Sequence, residues 1–177
     1  ASLRGGLGFG AFSIFWTTLT FHLEQPPFFQ GSDVAGLLGI IGIVGALVAP
    51  LVGSASGKIN KNQLIIIGCS LMLLAWIVLG IGGFTYAGLI IGIIFLDMGL
   101  QGMHVTNQTI VFSSHHEASN RLNTIYMVSY FVGDSLGTLV GGKVWEHFGW
   151  AGVGVAGSGV VPLAVLITLL IGTKPKI

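Results

Sequence analysis

The chain has 177 residues, 53% hydrophobic and only 7% charged, with a mean hydropathy of +0.89, whereas soluble domains carry about a quarter charged residues. This excludes a soluble globular domain and points to helices in a lipid bilayer. A net charge of +1 with no basic tract excludes nucleic acid as a partner, since nothing neutralises a run of phosphates.

Crossing the hydrocarbon core as helix takes roughly 20 residues, and six stretches qualify: about 5 to 22, 35 to 53, 64 to 83, 86 to 112, 123 to 145 and 151 to 172. The expected fold is one all-α six-helix transmembrane bundle over residues 1 to 177, with 29 glycines letting the backbones approach closely. A chain that begins with Ala hints at a fragment, and the first span lacks a small-residue cleavage site. The lone Cys69 forbids an intrachain disulfide.

The first span places Ser13, Trp16 and Thr20 on one face and ends at His22 and Glu24 before Pro26-Pro27. These residues either line a polar pathway or satisfy themselves locally, with hydroxyls on their own backbone and Trp16 packed on a neighbour. The second span, with Gly36, Gly39, Gly42 and Gly45, reads as a packing helix. Between it and the third span lies a loop with Gly53, Gly57, Lys58 and Lys61. Its lysines either bond helix C-termini or lipid headgroups, or act as positive-inside anchors. The third and sixth spans are apolar nearly all round and read as lipid-facing.

The fourth span carries Asp97, Gln101, His104 and Gln108, spaced four, three and four apart and so on one stripe. The fifth brings Tyr126, Tyr130 and Asp134 on one stripe, and Gly133, Gly137 and Gly141 at the four-residue spacing of close helix contact. Polar groups at bilayer depth are costly and mark function. Asp97 and Asp134 each lie about eleven residues into their spans, from opposite sides. In a low-dielectric setting such carboxyls can bind and release a proton, or else serve structure by bonding a backbone group or a Tyr. His104 is a proton-relay or substrate candidate, with packing as the alternative. Gln101 and Gln108 are ligand groups or interhelical glue, and Tyr126 and Tyr130 line the inner mouth or anchor at the interface. His115-His116-Glu117 reads as a solvated turn and not a metal site, and no cofactor is expected.

With both ends of six spans on one side, Arg4, Lys58, Lys61, Arg121, Lys174 and Lys176 share that side and only Lys143 opposes them. Both termini of the segment are therefore expected in the cytoplasm, with the chain a multi-pass protein of the cell (inner) membrane. At an offset of 88 residues, Leu51-Val52-Gly53 falls on Leu139-Val140-Gly141, Gly45 on Gly133, and Ser13, Trp16 and Thr20 on Gln101, His104 and Gln108. Three spans per half makes the halves inverted, as in many secondary transporters, and predicts two polar stripes facing a common cavity.

The turn GSASGKINKN, the stretch LDMGLQGMHVTNQT and the run RLNTIYMVSYFVGDSLGTLVGG with WEHFGW resemble the major facilitator superfamily. The turn is similar to its glycine-and-basic loop, and the rest to the tenth and eleventh helices of its bacterial drug:proton antiporter-like members. Two positions depart from the pattern: Gly57 stands where that family usually has an acid, and Asp134 where a small residue is expected. The resemblance implies the C-terminal six-helix half of a twelve-helix transporter, partnered by an N-terminal half, moving a small-molecule substrate by alternating access with protons as coupling ion. It also implies that the first and fourth spans line the cavity, that the second and fifth add to its walls and meet the other half, and that the third and sixth face lipid. Phe9, Phe12, Phe15 and Trp16 favour an apolar or aromatic substrate. Two other classes remain open: a homodimeric or inactive truncated six-helix protein, and an intramembrane aspartyl hydrolase. The latter fits poorly, because Phe131-Val132-Gly133 precedes Asp134 where a GxGD pattern is required; no enzymatic activity is expected.

Overall fold

The computed structural model describes residues 1–114 and 118–171. The expected turn His115-His116-Glu117, the inner-side Lys174 and Lys176 and the end of the sixth span lie outside the described residues. Among those described there are only helices: α1 (Ser2–Leu23), α2 (Ser32–Ala46), α3 (Val48–Ala55), α4 (Lys61–Gly82), α5 (Tyr86–Ser114) and α6 (Ser119–Ile171). Helix is the form in which an apolar segment satisfies its own backbone polar groups without water. Four stretches are long and apolar enough to cross a membrane: Ser32–Ala55, Lys61–Gly82, Tyr86–Ser113 and the 52-residue Ser119–Leu170.

The boundaries differ from the sequence expectation in three places, each for a local reason. The second span is interrupted at Leu47, where Pro50 has no N–H to offer the Ala46 carbonyl. The third begins at Lys61 and not near residue 64, because Asn60 caps it, its side chain accepting from Asn62 N at 2.8 Å. The loop expected between the fifth and sixth spans shrinks to Gly149, whose φ of 57° and ψ of −154° break an otherwise continuous α6. Glu146 and His147 are polar yet helical, and His147 Nδ1 sits 2.9 Å from the Lys143 carbonyl.

Two helix pairs build the core. Gly6 and Gly10 of α1 meet Gly133 and Gly137 of α6 backbone to backbone, and Gly141 reaches Ile14 and Thr18. Contacts advance together along both chains, so α1 and the first part of α6 run parallel. A Cβ at Gly137 would lie 2.7 Å from the Gly10 Cα, so no other residue fits at this approach. The second pair is α4 on α5, where Gly68 faces the Gly99 carbonyl and Cys69, Met72, Ala75 and Leu79 are fully buried. The third span thus packs one whole face inside the bundle, where an apolar periphery facing lipid all round was expected. In the α2–α3 stretch only 12% of the apolar window is buried, with Leu37, Ile40, Ile43 and Leu47 exposed. Its glycines pack on α5 at only one place.

An aromatic clasp joins α1, α4 and α6. His22 is 2% exposed, stacks on Trp150 with centroids 3.8 Å apart, and its Nε2 sits 2.8 Å from the Gly83 carbonyl, while Trp150 Nε1 donates to the Leu79 carbonyl at 3.1 Å.

Candidate functional site

The polar groups of α1, α5 and the first part of α6 meet in the middle of the bundle. On α1, the Ser13 hydroxyl lies within hydrogen-bond reach of two acceptors, the Phe9 carbonyl at 2.8 Å and Asp134 Oδ1 on α6. A hydroxyl has one proton to donate, so the two bonds alternate with the state of the carboxyl. Asp134 as a carboxylate takes the Ser13 proton. Asp134 as the acid can donate to Ser13 Oγ, which frees the hydroxyl for Phe9. One turn before Asp134, Tyr130 stacks on Phe9 with centroids 4.0 Å apart and lies 4.6 Å from the His104 ring. His104 Nδ1 is 2.9 Å from the Tyr126 hydroxyl. Ser13, Asp134, Tyr130, His104 and Tyr126 therefore form one connected group.

Asp97 stands apart from Asp134, and no described contact joins the two carboxyls. It is 9% exposed, packed against Gly42 and Gly45 of α2, and its Oδ2 is buried without a hydrogen-bond partner. Those two glycines are what make room for it: a Cβ at Gly42 would sit 3.2 Å from Asp97 Oδ1. Tyr130 is within electrostatic reach of both acids and is the group they share.

Other sequence candidates fall outside this cluster. Trp16 turns toward α2, its ring 3.9 Å from the position of a Cβ on Gly39, and its indole N–H is buried without an acceptor. An aromatic row, Phe9–Phe12 at 5.7 Å and Phe12–Trp16 at 5.9 Å, links it to Tyr130. Gln108 reaches the Met127 sulfur at 4.0 Å. Thr20 and Gln101 are half-buried, and among the described residues no side-chain hydrogen bond ties them to the cluster. The two polar stripes thus meet through Tyr130 and do not confront each other residue for residue. Phe15 is fully buried against Trp76 and Trp150 and points away from the site.

In the loop, Gly53 lies within α3, Ser54 and Ser56 hydroxyls bond Leu51 and Gly53 carbonyls, Gly57 and Lys58 are exposed, and Lys61 Nζ donates to Ser113 Oγ at 2.9 Å. That last contact ties the start of α4 to the end of α5.

Three buried polar residues escaped the sequence reading. Arg4 was counted as a cytoplasmic anchor but is 5% exposed inside the bundle; Asn107 is 0% exposed; His22 was taken as a span end. Asn107 could have been found: it is three residues from His104, hence on the adjoining face of the same helix.

No family model matches the chain. Among curated proteins it is similar to the uncharacterized transporter YgaY of Escherichia coli O157:H7, 41% identical over 166 residues, which is 94% of this chain and 42% of that protein. It is also similar to the probable transporter SCO4007 of Streptomyces coelicolor, 31% identical over 91% of this chain and 38% of that protein. The inner membrane transport protein YnfM of Escherichia coli K12 is 22% identical over 97% of this chain and 40% of that protein. The chain spans about two fifths of the length of these relatives. Relatives named as transporters, together with four apolar helical stretches, support a membrane protein and membrane transport in general.

Proposed function

We propose that the chain is a six-helix half of a twelve-helix secondary transporter of the major facilitator kind, residing in the inner membrane and exchanging a small solute for protons by alternating access. The observation that carries this reading is the connected group Ser13–Asp134–Tyr130–His104–Tyr126 with Asp97 beside it, polar chemistry from three helices inside an otherwise apolar bundle. Ser13 gives Asp134 a hydrogen-bond partner in either protonation state, which a carboxyl that cycles a proton requires. Asp97 is the second coupling candidate and His104 the third. Phe9, Phe12 and Trp16, half-buried along α1, favour an apolar or aromatic solute.

An inverted repeat is supported by paired contacts. Gly133 approaches Gly10, and Gly45 approaches Met98; adding the offset of 88 to Gly45 and Gly10 yields Gly133 and Met98. The contact of α2 with α5 thus corresponds to that of α6 with α1, as exchange of the two halves requires. The N-terminal half would cover the exposed apolar faces of α2 and of α6, which includes Val128, Val132 and Leu139. The length of the relatives favours this partner over a second copy of the chain.

The test uses the full-length polypeptide in proteoliposomes with a panel of apolar cations and aromatic solutes, recording solute uptake and internal pH. Solute-driven proton movement lost in Asp97→Asn or Asp134→Asn, with folding intact, is the expected result. Uptake that ignores both substitutions and collapse of the proton gradient would remove proton coupling. A folded protein that moves no solute in the panel would count against the transport reading.

A further inference from the structure

The most unusual buried group in the bundle is Arg4. Its side chain enters the core between α1, α4 and α6, within electrostatic reach of Cys69 and Tyr126, and its Nε is buried without an acceptor. Guanidinium keeps its charge in any protein environment, and a buried charge is strongly destabilising unless paired. Among the described residues no carboxylate pairs with it. A second, independent observation lies beside it. Asn107 is 0% exposed with both amide atoms unpartnered, and it flanks the same Tyr126 hydroxyl.

We propose that Arg4 and Asn107 form a binding site for a small monovalent anion, a halide or a small carboxylate, on the inner side of the bundle. The donor set decides the chemistry. Arg4 brings only N–H donors and a positive charge, and the Asn107 Nδ2 group brings two more donors. Asn107 Oδ1, which would repel an anion, has the Tyr126 hydroxyl at hand as its own donor; His104 Nδ1 then donates to the Tyr126 oxygen, 2.9 Å away. A water molecule satisfies hydrogen bonds but not the charge, and a divalent anion overcompensates one guanidinium. The bound anion locks α1, α5 and α6 together beneath the Ser13–Asp134 pair, and the site does not rest on the transport reading.

The experiment follows thermal unfolding of the purified full-length protein by tryptophan fluorescence at constant ionic strength and pH, replacing sodium gluconate by sodium chloride or by sodium formate. In the parent the unfolding temperature should rise by several degrees and saturate as the anion fills its site. Chloride alone acting identifies a halide site; formate acting as well identifies one that accepts carboxylates. Arg4→Gln should give a flat profile, Arg4→Lys a weakened one, and Asn107→Leu a midpoint shifted by about tenfold or more, from the loss of one charge-assisted hydrogen bond. A flat parent profile, or equal anion dependence in Arg4→Gln, would overturn the proposal. If Arg4→Gln does not fold, Asn107→Leu decides: an unshifted midpoint overturns the site.

Discussion

Substituting Gly133 by Ala adds one methyl group where α1 and α6 touch backbone to backbone. The new Cβ would lie 2.6 Å from the Gly6 Cα, whereas ordinary contact begins at 3.4 Å. The helices must therefore separate by at least 3.4 − 2.6 = 0.8 Å at that point. Gly6 has no side chain that could be trimmed or turned aside. Overpacking of this size costs about 1–3 kcal/mol, or roughly 2–10 °C of unfolding temperature for a chain this long. The same displacement loosens the Ser13–Asp134 contact one residue further along and the Phe9–Tyr130 stack. Gly142→Ala is the matched control: on the same helix, a Cβ there meets nothing within 4 Å, and the helix gains from replacing glycine. Thermal unfolding in detergent, read by tryptophan fluorescence, should show Gly133→Ala below the parent and Gly142→Ala at or above it. Equal stability of the two variants would refute the parallel, backbone-close pairing of α1 with α6.

Three further outcomes are expected. Trp150→Phe keeps a ring against His22 but leaves the buried Leu79 carbonyl without its indole donor, so equilibrium unfolding should show a loss of about 1–3 kcal/mol; an unchanged midpoint would mean the clasp holds through stacking alone. Asn60→Ala removes the side-chain cap of α4 and should destabilise by about 1 kcal/mol, with Asn60→Asp close to the parent in the same assay. Cys69 is 0% exposed and packed on the Met103 sulfur at 3.7 Å, so a water-soluble maleimide should leave it unlabelled in the native protein and react only on unfolding. Fast labelling under native conditions would place an opening between α4 and α5.

How much of the site was legible varies by residue. Asp97, His104, Tyr126 and Tyr130 stood out because helical spacing puts them on shared stripes of apolar helices, and a polar residue in such a place is costly enough to be informative. The glycines at 133, 137 and 141 were legible for the same reason, since small residues at four-residue spacing have few other uses. Spacing along one helix cannot say which neighbour a stripe meets. That Asp134 goes to Ser13 while Asp97 goes to the glycines of α2, with Tyr130 between them, depends on contacts more than fifty residues apart in sequence.

Composition and periodicity alone determined that this is a helical membrane protein and which residues break the apolar surface, because those follow from one-dimensional hydropathy and the 3.6-residue turn. Only the tertiary structure decided which breaks are buried and which reach water. Arg4 looks like any basic residue flanking a span, and hydropathy assigns it to the inner surface; the parallel approach of α1 to α6, set by facing glycines, and the packing of α4 on α5 enclose it instead. Burial is a property of the neighbours a residue acquires, and those neighbours come from other helices.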